Sequence, residues 1–250
     1  MLGQPEYRAE KLARRIAERV RERHDARRAE VTITARYPED RPAPVSGILT
    51  QEIYTLHGWA GATAAGTRRS TGVTVQGIIA APDAQRAVAA AAAARLRADG
   101  FTPERIERVL AALPVATHDQ RGLGSLHIGA RAEDDTELDA LVLVDIVEQS
   151  MSSAIYELMK RSDEGAVVDR AHSRARLATD CVREQLVAVV ERFPGLDGGH
   201  FVVARQENLE TIHAHRVVAE RHGLLSEIRA EVEGGVAPPH RTSLREWREA

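Results

Sequence analysis

Three segments of this 250-residue chain carry side chains able to hold ions or move protons. His118 stands in Ala116-Thr117-His118-Asp119-Gln120-Arg121-Gly122. Glu164 closes Tyr156-Glu157-Leu158-Met159-Lys160-Arg161-Ser162-Asp163-Glu164. Glu210 and His213 share Gln206-Glu207-Asn208-Leu209-Glu210-Thr211-Ile212-His213-Ala214-His215. An imidazole changes charge near neutral pH, so histidine is the side chain best suited to proton transfer there. His213 and His215 stand two apart, a spacing that puts both on one face of a strand and also suits a metal ion. Each residue has a plainer reading as well. His118 taken alone reads as structural, Glu164 as a solvated helix-end charge, and Glu207 and Glu210 as surface charge. Asp83 falls where a helix begins, the place of an N-cap. His215 reads as peripheral. The other histidines, among them His57, His127 and His172, follow no usable pattern.

Composition narrows the classes. Hydrophobic residues make up 43% and charged residues 28%, the balance of a globular protein. The net charge of −3 gives no electrostatic case for nucleic acid or an anionic membrane. Lys11 and Lys160 are the only lysines, and the arginines are spread along helices. The single cysteine, Cys181, excludes an intramolecular disulfide and any cysteine-rich metal site, and reads as a small buried residue. No apolar run reaches the length of a membrane span, and no secretory signal opens the chain, so a cytoplasmic location is the default expectation.

The elements that must position these residues follow from periodicity. Residues 7–24 predict a helix with Leu12, Ile16 and Val20 inward and Glu10, Arg14, Glu18 and Glu22 in the solvated stripe. Residues 29–37 alternate as a half-buried strand ended by Pro38, and 42–47 are turn-rich. Residues 51–56 fit a short helix or a strand equally. The glycine-rich stretch 58–66 predicts a flexible loop, 72–80 a second strand, and the alanine tract 84–98 a helix stopped by Gly100. Thr102 with Pro103 predicts a capped helix to about Leu113. Residues 125–130 predict a short strand, 137–160 and 166–193 long helices, and 201–206 a last strand. Residues 233–240 read as a mobile tail. Strands separated by paired helices argue for an α+β fold, an antiparallel sheet with helices layered on one face.

Several motifs recur in a known order: Pro44-Val45-Ser46-Gly47 with Gln51-Glu52, His118-Asp119-Gln120-Arg121-Gly122, Ser150-Met151-Ser152, and residues 155–164. Together they resemble the type IB GTP cyclohydrolases and their archaeal MptA-like relatives over roughly residues 10–229. The resemblance implies the tunnel fold: tandem units in residues 1–232, the family's leading segment lacking, and a flexible tail in 233–250. It implies sheets that assemble into a barrel, a homo-oligomer with sites between subunits, and a divalent metal ion (Mn, Fe or Zn). The substrate it implies is a small heterocycle of purine or pterin type.

Carried over by residue, the resemblance places metal ligands at His118 and Glu164 and catalytic groups at Glu210 and His213. Two cysteines of the family fall on Ala81, which cannot bind metal, and Asp83, which can. Asp83, His118 and Glu164 would then make a site of one imidazole and two carboxylates, suited to harder ions such as manganese. Such an ion lowers the pKa of a bound water and makes it a nucleophile. Thr179 falls where the family has a glutamate gripping the purine edge; with Gln120 and Arg121 it completes the expected substrate contacts. A threonine cannot accept two hydrogens as a carboxylate does, so GTP itself is the doubtful substrate. A second reading follows from the lacking leading segment, which a partner could supply: a catalytically silent subunit that assembles with a complete partner.

Overall fold

The computed structural model describes residues 8–134, 136–235 and 239–249. A seven-stranded antiparallel sheet forms its centre. The strands are β1 (Arg28–Pro42), β2 (Leu49–Thr63), β3 (Gly66–Ala80), β4 (Asp119–Arg131), β5 (Ser153–Ala154), β6 (Phe201–Leu209) and β7 (Val217–Leu224). Their order is β1-β2-β3-β4-β6-β7, with the two-residue β5 paired to β3. The helices are α1 (Ala9–Arg23), α2 (Pro82–Ala98), α3 (Pro103–Ala112), α4 (Ala140–Ser150), α5 (Arg161–Ser173), α6 (Ala178–Arg192), α7 (Leu225–Gly234) and α8 (Leu244–Glu249). The expected α+β class with an antiparallel sheet is what the chain adopts.

The main core lies on one face of the sheet. Val73, Val75 and Ile79 of β3, Leu126 and Ile128 of β4, and Val202 and Ala204 of β6 share that face through their registers. They pack under Leu143, Val144 and Val147 of α4 and Cys181, Val182 and Val189 of α6. Helix α1 lies on the same face farther along, with Ala13 and Ala17 against Ala60 and Ala62. The opposite face is covered only by α8 among the described residues, where Trp247 packs with Trp59 and Phe201.

Several expected boundaries move, each for a local reason. The stretch 58–66 is not a loop: β2 runs to Thr63 and β3 begins at Gly66. Gly58 sits under the α1 backbone, where an added Cβ would fall 2.2 Å from the Ala9 carbonyl carbon. The same close approach puts alanines in the α1 seam. Glu10 is buried instead of solvated, and Val20 is 40% exposed. Pro38 does not end its strand; β1 is an edge strand, where a missing N–H costs no ladder bond. Residues 51–56 are strand. The expected helix 137–160 is confined to α4, because Asp139 caps it at Leu141 and the chain then turns extended into β5. The expected helix 166–193 is two helices, since Asp180 accepts from the Leu177 backbone N–H and starts α6 anew. β7 follows β6 as a further strand; its exposed edge gives it little apolar alternation. Of the expected tail, 236–238 lie outside the described residues, whereas α8 is a packed helix.

Candidate functional site

A cavity of about 510 Å³ opens where five segments meet. The first turn of α2 brings Ala81, Asp83 and Ala84, the start of β4 brings His118 and Gln120, and the entry to α6 brings Arg176 to Thr179. The end of β6 and the loop after it bring Asn208, Glu210, Ile212, His213 and His215, and β7 adds Val217 to Ala219. Two helix N-termini, those of α2 and α6, therefore border one space. Their free N–H groups and partial positive charge suit an anionic ligand group.

Six of the sequence-predicted residues line this cavity: Asp83, His118, Gln120, Thr179, Glu210 and His213. Gln120, 6% exposed, donates from Nε2 to Glu210 Oε1 at 3.1 Å. Thr211 Oγ1 donates to the Asp119 carbonyl at 3.1 Å, tying the loop after β6 back to β4. The His213 and His215 rings stack at 5.0 Å, so His215 is part of the cavity wall and not peripheral. Asp83 is exposed in the first turn of α2 and pairs with Arg86. The helix is capped by Ala81, which makes no side-chain cap bond, so Asp83 is not its N-cap.

Two predicted residues lie elsewhere. Arg121 is exposed next to Gln120 in β4, where alternate residues of a strand face opposite ways. Its Nη1 donates to Gln76 Oε1. Glu164 is exposed in the first turn of α5 and does not line the cavity. Its neighbour Asp163 is fully buried and accepts from the backbone N–H groups of Val45, Ser46 and Lys160 and from Ser46 Oγ. Those bonds hold its carboxyl well below the usual carboxylate range. The conspicuous Lys160-Arg161-Ser162-Asp163-Glu164 motif thus anchors the 44–47 turn to α5.

Sequence reasoning passed over the residues that hold the site in place. Gln85 of α2 donates from Nε2 to the Val115 and His172 carbonyls at 3.0 and 2.6 Å. His172 Nε2 in turn meets the Thr117 carbonyl at 3.1 Å, which steadies the chain entering His118. Asn208 is fixed by Gln206, whose Nε2 donates to its Oδ1 at 3.1 Å. Arg176 is the single arginine or lysine lining the cavity among the described residues, and it pairs with Glu184 at 3.1 Å. Glutamine and asparagine in strands carry no signal by type; only the pairing across elements reveals them. Cys181, fully buried in α6, has its thiol pushed up to about 12 by desolvation and takes no part.

The donor set does not fit the expected divalent ion within one chain. Among the described residues, no three His, Cys, Asp or Glu side chains converge closely enough to hold a metal. Asp83 and His118 share the cavity while Glu164 stands outside it.

A family model of type I GTP cyclohydrolase folE2 matches residues 3–219. Three relatives show the extent of the similarity. GTP cyclohydrolase MptA of Methanosarcina mazei is 35% identical over 240 residues, 93% of this chain and 75% of the relative. GTP cyclohydrolase MptA of Methanoregula boonei is 37% identical over 241 residues, 94% of this chain and 72% of the relative. GTP cyclohydrolase MptA of Methanocaldococcus jannaschii is 33% identical over 231 residues, 90% of this chain and 73% of the relative.

Proposed function

The chain belongs to the type I GTP cyclohydrolase family, and from that premise we propose that it hydrolyses a ring C–N bond of a purine- or pterin-like heterocycle. The observation that carries this reading is the meeting of six expected residues from separate segments in one cavity. The reaction adds water across a cyclic amidine carbon, breaks its bond to nitrogen and delivers a proton to that nitrogen. It needs one group to take the proton of water and one to supply the leaving nitrogen. His213 has the right chemistry for proton transfer, His118 for holding a metal ion beside Asp83, and Glu210, steadied by Gln120, for orienting a ring N–H. The α2 and α6 N-termini and Arg176 favour a substrate bearing phosphate.

The proposal extends to assembly. The tunnel fold joins subunits edge to edge, and among the described residues no further strand pairs with β1 or β7 at the two edges of this sheet. Exposed Ile212, Val217 and Val218 lie on the cavity side of the β7 edge. A homo-oligomer closed there would complete the cavity, and a metal ion would take its remaining donors from the second copy.

The test is turnover of GTP, followed by loss of purine absorbance and release of formate, with manganese, iron or zinc supplied in turn. His118→Ala and Glu210→Gln are expected to slow it by about 10²-fold or more with the fold unchanged. Metal analysis of wild type beside His118→Ala separates the second reading, a silent subunit, which the missing three-donor set favours. Equal metal in both, no turnover, and solubility only with a co-expressed partner would establish that reading instead.

A further inference from the structure

Far from the cavity, the sheet brings together two arginines that form no ion pair among the described residues. Arg68 and Arg131 stand directly opposite each other in the β3–β4 register. Like charges in that position repel. Arg68 is only 9% exposed. A guanidinium does not lose its proton in a protein, so burial cannot be relieved by neutralisation. Desolvation, then the Arg131 charge, pull the Arg68 pKa below its ordinary value.

Arg248 of α8 lines the same cavity, but its guanidinium lies on the Trp59 side, where Glu30 and Arg28 act on its charge. Two tryptophans set the geometry: Arg68 lies 5.3 Å over the Trp247 ring and Arg248 4.3 Å over the Trp59 ring. The Arg248 Nε is buried without a partner. Among the described residues, none of the three arginines has a carboxylate within 4.0 Å. All three line a small cavity of about 80 Å³, together with Thr63, Thr67, Glu133 and Glu249. Glu249 is engaged by Arg245 at 3.0 Å, which leaves Glu133 as the one acidic side chain there without an ion pair.

We propose that Arg68 and Arg131, bordered by α8, form a second anion site, built for a tetrahedral phosphate group. Guanidinium forks match phosphate oxygens in pairs. The paired charge suits an inorganic phosphate or the terminal phosphate of a larger molecule. The site is separate from the candidate active site. Arg68 and Arg131 stand at one end of the β3–β4 pair and Ala80 and Asp119 at the other, about 40 Å away at the rise of a strand.

Calorimetric titration of the full chain with inorganic phosphate tests this, with a nucleoside monophosphate as the second ligand. Saturable phosphate binding is expected, weakened about tenfold or more by Arg131→Gln and by Arg68→Gln. Arg176→Gln, at the candidate active site, should leave it unchanged. Arg131 is exposed, so its variant should keep the wild-type fold by circular dichroism even if Arg68→Gln does not. Phosphate should raise the thermal midpoint of wild type and not of Arg131→Gln. Equal affinity for the monophosphate assigns a terminal phosphate group, and binding of phosphate alone assigns the free ion. No saturable phosphate binding, or binding lost in Arg176→Gln and kept in Arg131→Gln, overturns the site.

Discussion

Glu210 accepts from Gln120 through one oxygen, and its other oxygen bonds no described residue. That asymmetry is what a ligand-orienting carboxylate requires: one fixed bond to hold the rotamer and one free acceptor. On the opposite sheet face, His127 shows how a residue with no sequence signal carries a measurable property. Its ring lies across Gly72, where an added Cβ would come within 2.0 Å of Nδ1. Burial, then the neighbouring His57, lower its pKa to about 4. The unfolded chain binds the proton near 6.5 and the folded chain does not until about 4. Protonation therefore favours unfolding, and stability falls as pH drops from 6.5 toward 4, by an upper bound of about 3 kcal/mol. Urea titrations across that window should show the fall, and His127→Gln should flatten it. An unchanged slope in the variant would mean other groups govern acid stability.

At the scale of elements, small residues decide how α1 meets the sheet. Period alone marked Leu12, Ile16 and Val20 as the inward stripe, because they are the largest apolar side chains on the helix. The structure uses Ala13 and Ala17 instead, since Gly58, Ala60 and Ala62 let the two backbones come close. Gly58→Ala should cost about 3 kcal/mol by denaturant unfolding, because the new methyl meets a backbone that cannot turn aside. A loss under about 0.5 kcal/mol would show that α1 can lift from the sheet. The broken helices have the same origin. Asp139 and Asp180 cap from within apparently continuous helical patterns, and a cap is worth about as much as the few residues of propensity it interrupts. The alanine-rich α2 formed as expected without burying a single residue, held by its propensity and by the two Gln85 bonds to Val115 and His172.

For the whole molecule, one face of the sheet holds the core and the other holds a row of polar groups crossed at one end by α8. His57 Nε2 meets Thr74 Oγ1 at 3.0 Å, and Thr74 meets Ser125 Oγ at the same distance, across three strands. Trp247 seals this face at its end, 5.2 Å from Phe201 and 4% exposed. Trp247→Ala should lower stability by about 3–5 kcal/mol and release the last helix. Thermal unfolding with limited proteolysis at the C-terminus reads both effects, and an unshifted midpoint would show that α8 does not contribute.

The sequence alone determined the family, the α+β class, the alanine helix and six of the cavity's lining side chains. Motif order and helix propensity are local properties, written in residue types. It did not determine that Glu164 would stand apart while its neighbour Asp163 anchors a turn, nor that Gln85 and His172 would hold the approach to His118. It also left unseen the pairing of Arg68 with Arg131 across β3 and β4. Those facts depend on strand register and on how closely helices approach the sheet. Both are set by contacts between residues far apart in the chain, which no local pattern encodes.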